Sequence, residues 1–296
     1  MKRRSRHLLA LLMPLFLHCS LRADVTLVTT FESGGAAGVD VSGSNQWRIH
    51  GSQARWDRWM SAKDKRHPFP LMLQDRSCLL ADSRREVIKD INLDNGELKE
   101  IAFAEWKTYA DKQHQDENPF LDPASVQTPA THGRFTIIPS SETTLLRGYA
   151  CRKIAYDLSY DVKEAGLRSR KRCRILTTFW MADPTPASRQ AKAEVDGFFR
   201  VFEQKTGDRA RFANPLTLGS HAWADGNAGT ASDLAELMTR LEDEVRKLEG
   251  IPVKTEMETS LDQQPVFWCR IDLNTLSTAE LPAGVFRPRP GQGDAP

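Results

Sequence analysis

Two alternating runs near the middle of the chain set the pattern for the rest. Between Arg147 and Ala182, Ile154, Tyr156, Leu158, Tyr160 and Val162 fall on one side of a two-residue period, with Lys153, Asp157, Ser159 and Asp161 on the other. That alternation is the requirement of a strand with one buried face. Cys173, Ile175, Thr177, Phe179 and Met181 repeat it, and Glu164-Ala165-Gly166 supplies a turn. The two runs predict a long β-hairpin. Upstream, DVTLVTTF (24–31) reads as a first strand, and Ser33–Ser44 as a Gly/Ser/Ala linker. SNQWRIHG and QARWDRWM predict paired strands joined at Gly51-Ser52, with Trp47, Trp56 and Trp59 as half-buried anchors. A charged loop, Lys63–Pro70, precedes three short strands in LMLQ, CLLAD and REVIKDI. ELKEIAFAEWKTYA fits both periods and is left open. Gln113–Gly133, with three prolines, reads as an irregular loop.

After the hairpin the period changes to 3.6. Ala191, Val195, Phe198, Phe199 and Phe202 form one stripe of a helix over 187–206, interrupted weakly by Gly197. A second helix, capped at Thr230 or Ser232, carries Leu234, Leu237, Met238, Leu241, Val245 and Leu248 on one face and stops at Gly250. IPVKTEMETS and PVFWCRIDLNTL then return as strands, and residues 288–296 read as a disordered Pro/Gly-rich tail. Many strands followed by late helices predict an α+β fold: a curved antiparallel sheet with helices packed in the concave face. One domain over 24–287 accommodates all of it.

Composition adds a compartment. Lys2, Arg3, Arg4 and Arg6 precede an apolar run, Leu8–Leu17, that is too short to span a bilayer, so residues 1–23 read as an export signal cleaved after Ala23. Lipidation at Cys19 is not expected, because His18 stands where a lipobox needs a small residue. The expected location is periplasmic or secreted. The chain has 41 Lys+Arg against 39 Asp+Glu; five of the positives and no acid lie in the signal, which leaves 36 against 39. A near-neutral mature chain has no basic field to recruit nucleic acid.

Cys78, Cys151, Cys173 and Cys269 remain after cleavage, an even count that in an oxidising compartment suggests two disulfides. Facing disfavours Cys151–Cys173 and makes Cys173–Cys269 the easier pair. No cysteine or histidine spacing indicates a metal site, and no nucleophile–base pair, H-E-x-x-H, G-x-S-x-G or P-loop is present. His114 and Asp116 sit together in the polar loop, where solvent-facing side chains are the rule. No catalytic residue, cofactor or metal is expected.

GYACRKIAYDL, TTFWMADP, LEGIPVKTEME and LSTAELPAGV together carry a family resemblance. With Gly148, Tyr149, Cys151, Trp180, Gly250, Pro252 and Pro282-Ala283-Gly284 matching, the chain resembles the bacterial family called domain of unknown function 4412. That family is similar in fold to the periplasmic lipoprotein-carrier (Lol) superfamily, an unclosed half β-barrel lidded by helices. The resemblance implies such a fold and brings no catalytic residues. A half-barrel of this kind leaves an apolar cleft for a hydrophobic or acyl ligand. Ile154, Tyr156, Leu158, Phe179 and Met181 from the sheet, with Leu237 and Leu241 from the helix, would line it or fill a dry core. A second expectation is a structural or interaction module of the envelope. There Arg168, Arg170, Lys171, Arg172 and Arg174 would dock an acidic protein or an anionic lipid surface, or simply form a solvated strand edge. The oligomeric state is left open.

Overall fold

The computed structural model describes residues 23–35, 39–64, 71–117, 130–163, 170–208, 212, 214–217 and 232–288. The side chains at 39, 64, 71–73, 111, 113–117, 130–131, 163 and 232–239 lie outside that description. The proposed signal, Cys19 and all of the expected tail but Pro288 also fall outside it. Among the described residues eleven strands run in chain order as β1 (Val25–Gly35), β2 (Val39–His50), β3 (Gln53–Asp64), β4 (Leu71–Asp82), β5 (Val87–Asn92), β6 (Leu98–Ala102), β7 (Ala130–Leu146), β8 (Tyr149–Lys163), β9 (Arg170–Ala182), β10 (Ile251–Leu261) and β11 (Gln264–Ser277). Three helices are described, α1 (Phe103–Glu117), α2 (Pro186–Thr206) and α3 (Ser232–Lys247).

The strands form one antiparallel sheet in the order β6-β5-β4-β3-β2-β1-β11-β10-β9-β8-β7. The chain builds outward from β1 to one edge at β6, crosses through α1 to the other edge at β7, and works back to lay β11 beside β1. The edge strands β6 and β7 do not pair, so the barrel stays open, as the α+β half-barrel reading requires. Helices α2 and α3 are an excursion between β9 and β10, which are themselves paired neighbours.

One half of the concave face is closed by aromatic rings. Across the ladder, Leu27 faces Trp47, Trp47 faces Trp56, and Trp56 faces Leu79. Trp47 and Trp56 stack with ring centroids 4.8 Å apart. The α2 stripe lands on them, with Phe199 edge-on to Trp47 at 5.6 Å and Phe202 packed on Phe103 of α1 at 5.2 Å. Thr185 and Ser188 cap α2 reciprocally with Pro186 at its first turn, which satisfies backbone donors that a helix start otherwise exposes. The helix is tied to sheet turns at two points. The Gly51 N–H donates to Glu194 at 2.5 Å, and Lys205 reaches the Ser83 carbonyl at 3.0 Å and Glu86 at 2.7 Å. The other half is closed by α3, whose Leu241 and Val245 cover Tyr156, Leu158, Phe179, Met181 and Met257. Arg246 of α3 pairs with the buried Glu203 of α2. Gly250 follows, with φ +88° and an ideal Cβ only 2.1 Å from the Ala182 carbonyl oxygen. Both the left-handed backbone and the close approach demand glycine at this re-entry to β10.

Several expectations change. Ser33–Ser44 is mainly strand rather than linker: Ser33–Gly35 extend β1 and Val39–Ser44 open β2, because both flanking ladders continue through them. ELKEIAFAEWKTYA is both structures in sequence, β6 to Ala102 and α1 from Phe103, so helices are not confined to the late chain. Residues 113–117 end α1 and 130–133 begin β7, which shortens the expected loop from both sides. Trp59 leaves the Trp47–Trp56 face and is 37% exposed. At the end of β9 the alternation fails, and Phe179, Trp180, Met181 and Ala182 are all buried.

No disulfide joins the four cysteines; all are buried thiols. Cys173 on β9 faces Leu261 of β10, while Cys269 on β11 faces Met257. Two strand spacings and a four-residue offset put them on the order of 16 Å apart, well beyond bonding reach. Cys78 lies on β4, on the far side of the sheet, and Cys151 faces Ala182 at the opposite end of the β8–β9 ladder from Cys173. Facing along a strand is set by local sequence, whereas disulfide reach depends on strand order.

Candidate binding cleft

Alternation on β8 and β9 places Tyr156 opposite Thr177, Leu158 opposite Ile175 and Ile154 opposite Phe179. Of the expected lining residues, Tyr156, Leu158, Phe179, Met181 and Leu241 are almost fully buried in one cluster, and Ile154 packs against its margin. The side chain of Leu237 lies outside the described residues. They come together in one buried cluster. Tyr156 stacks on Phe135 of β7 and meets Phe179 edge-on, each at 5.8 Å, geometries that aromatic pairs favour. Burial, and then the charge of Glu244, push the Tyr156 phenol up to about 12.

An open groove lies beside that cluster. A groove of about 380 Å³ runs between β7 and the exposed side of α3, lined by Phe135, Ile137, Arg240, Asp243, Glu244 and Lys247. Ile137 is 44% exposed. The Arg240 guanidinium lies 5.8 Å from the centre of the Phe135 ring, and Lys247 donates to Glu244 at 2.7 Å. The groove therefore has an apolar floor from the sheet and a wall of both charge signs from the helix. Phe135 and Ile137 were absent from the expected lining; their two-residue spacing in RFTIIP was the available signal.

The arginines at the start of β9 meet acids on the neighbouring strand. Arg172 donates to Asp161 at 2.8 Å and Ser159 at 2.7 Å, and Arg174 reaches both Asp157 oxygens at 3.0 Å. The hydrogen bond from Arg172 holds the Asp161 carboxyl below its usual range. Arg170 is exposed beside His132, and Arg168 lies outside the described residues. Among the described residues no cluster of three or more His, Cys, Asp or Glu side chains is arranged to hold a metal ion. His50 pairs with Asp24 at one end of the sheet and His132 lies 3.3 Å from Asp161 at the other. The side chains of His114 and Asp116 are not described. No described helix is long and apolar enough to cross a membrane.

The fold and groove define an open half-barrel with helices over its concave face. No protein-family model matches the chain, so the resemblance drawn on Gly148, Cys151 and Gly250 finds no support there, and no curated protein matches it either. Among solved structures, a LolA superfamily protein from Nitrosomonas europaea is similar over 90% of this chain and 91% of that one, with a TM-score of 0.30 and 6% identity. A porin-like protein from Bacteroides uniformis covers 85% of this chain and 96% of its own, at a TM-score of 0.23 and 4% identity. Likenesses this loose carry no function across.

Proposed function

We propose that the chain is an exported, non-enzymatic binder or carrier of a lipid-like ligand, acting in the periplasm or outside the cell. The observation that supports it is the groove between β7 and α3. Its volume of about 380 Å³ falls at the lower end of the range for small-molecule sites, roughly 300–1,000 Å³. An apolar floor at Phe135 and Ile137 suits an alkyl chain, and the mixed charges of Arg240, Asp243, Glu244 and Lys247 suit a polar end. The buried cluster at Tyr156, Leu158, Phe179 and Met181 supports the groove from beneath. Among the described residues that cluster is buried, and the groove opens at its margin. The first 23 residues supply the export reading.

The test is a titration of delipidated protein with a fluorescent fatty acid. Saturable uptake is expected, and Ile137→Asp, which puts a charge on the apolar floor, weakens it roughly tenfold or more. No uptake, or uptake indifferent to Ile137→Asp, sinks the reading. An interaction module of the envelope then takes its place, favoured by one observation. Among the described residues no strand pairs with the outer edge of β7, where Ile138 is 38% and Leu145 72% exposed, and such an edge accepts a partner strand.

A further inference from the structure

Three buried polar atoms without a hydrogen-bond partner fall in a single patch: the Thr29 hydroxyl, the Trp47 indole N–H and Arg58 Nε. Register sets them side by side. Thr29 faces Asn45, Asn45 faces Arg58, and Trp47 stands two residues from Asn45 on β2. All belong to the concave face, since Trp47 packs under α2 and the Arg58 guanidinium lies 5.6 Å from the Trp56 ring centre. A buried donor left unmade costs about 1–3 kcal/mol, so three in one patch ask for an acceptor. Two of the three atoms can only donate. Asn45 adds a third donor group, because its Oδ1 already accepts from Trp56 Nε1 at 2.9 Å and its Nδ2 remains.

Charge decides what kind of acceptor suits the patch. Arg58 is already matched by Asp75 at 2.6 Å, and Asp90 faces Leu79, two residues along β4 from Ser77, the partner of Arg58. A further carboxylate meets Asp75 and Asp90, with Arg58 already paired to Asp75 and Lys99 facing Asp90 from β6, whereas a neutral carbonyl oxygen takes the donors without that repulsion. Beside the donors lies an apolar shelf. Phe31 faces Gly43 and Gly43 faces Met60. The Phe31 ring lies so close over β2 that a Cβ on Gly43 would come within 2.6 Å of it. Phe31 and Met60 are half-buried and join none of the buried clusters formed by the described residues.

We propose that Thr29, Asn45 and Arg58 bind the carbonyl of a neutral acyl ester, with the first methylenes of its chain on Phe31 and Met60. This rests on the reading of a lipid-like ligand, but its place is six strands from β7, so the two can fail separately. The test uses the full chain, delipidated, in calorimetric titrations with monododecanoyl glycerol and with dodecyl glycerol ether, which differ by the carbonyl. The ester is expected to bind roughly tenfold or more tightly, the worth of one charge-assisted hydrogen bond. Arg58→Lys keeps a cation for Asp75 and removes Nε–H; Thr29→Val keeps the shape and removes the hydroxyl. Each is expected to erase most of the preference and leave the affinity for the ether unchanged. Should Arg58→Lys fail to fold, Thr29→Val decides. Equal binding of ester and ether, or a preference that survives Thr29→Val, overturns this proposal alone. Binding of neither glycerol compound overturns it as well, while the groove reading stands or falls on fatty-acid uptake and its response to Ile137→Asp.

Discussion

The two halves of the concave face are closed in different ways. Over β1–β5, Phe199 of α2 and Phe212 beyond that helix meet Trp47 and Trp56, and Phe198 and Phe202 of α2 with Phe103 and Trp106 of α1 interlock behind them. The Trp106 indole N–H also donates to Asp208 at 2.6 Å. Over β7–β10, α3 offers Leu241 and Val245 to a smaller cluster and leaves a groove along its charged side. Large rigid rings fill a concave surface from several directions, and a single amphipathic helix covers only a stripe of it. A half-barrel can therefore be a solid core at one end and leave an open groove at the other.

The largest effect that tests this contrast is in the core. Phe202→Ala is expected to lower the unfolding free energy by about 3–5 kcal/mol, since Phe202 meets five other rings. Leu241→Ala is expected to cost about 2 kcal/mol, the low end for such truncations, because the site borders open space and can relax. Denaturant melts followed by near-ultraviolet circular dichroism compare them. Equal costs would mean that the halves form one uniform core.

A smaller effect sharpens how α1 is held. Tyr109 donates to Asp90 at 2.8 Å, and burial raises that carboxyl above its ordinary range. A carboxyl raised in the folded state contributes stability while it is protonated and loses it as pH rises from the unfolded value through the folded one. Asp90→Asn keeps an acceptor for Tyr109, so it is expected to be more stable than the parent at neutral pH and to show a flatter pH profile above the ordinary Asp range. Thermal melts across that range check this, and an unchanged slope rules it out.

The smallest expected effect is none at all. Reductant leaves the melting temperature unchanged, and four thiols titrate once the chain from Asp24 onward is unfolded. In the folded protein burial slows their reaction; it pushes the Cys269 thiol up to about 12 and raises those of Cys78, Cys151 and Cys173. A titration that finds fewer than four sends the pairing of strands back into question.

Local pattern was enough for the elements with one clear period. The β8–β9 hairpin, the α2 stripe from Ala191 to Phe202 and the stop at Gly250 are all written in residues a few positions apart, because side-chain direction in a strand or helix depends on its nearest neighbours. The fold class followed from those elements, since a helix with one apolar stripe must bury it on a sheet. ELKEIAFAEWKTYA could not be resolved in this way, as both periods run through it and only the packing of Phe103 and Trp106 on α2 selects the helix there. Strand order was out of reach of local pattern. It places β11 beside β1, puts β10 between Cys173 and Cys269, and sets Thr29, Asn45 and Arg58 in one row although 29 positions separate the first from the last. Contacts of that kind depend on how distant segments share one sheet, and the groove at Phe135 and Ile137 exists only because β7 became an edge with α3 laid across it.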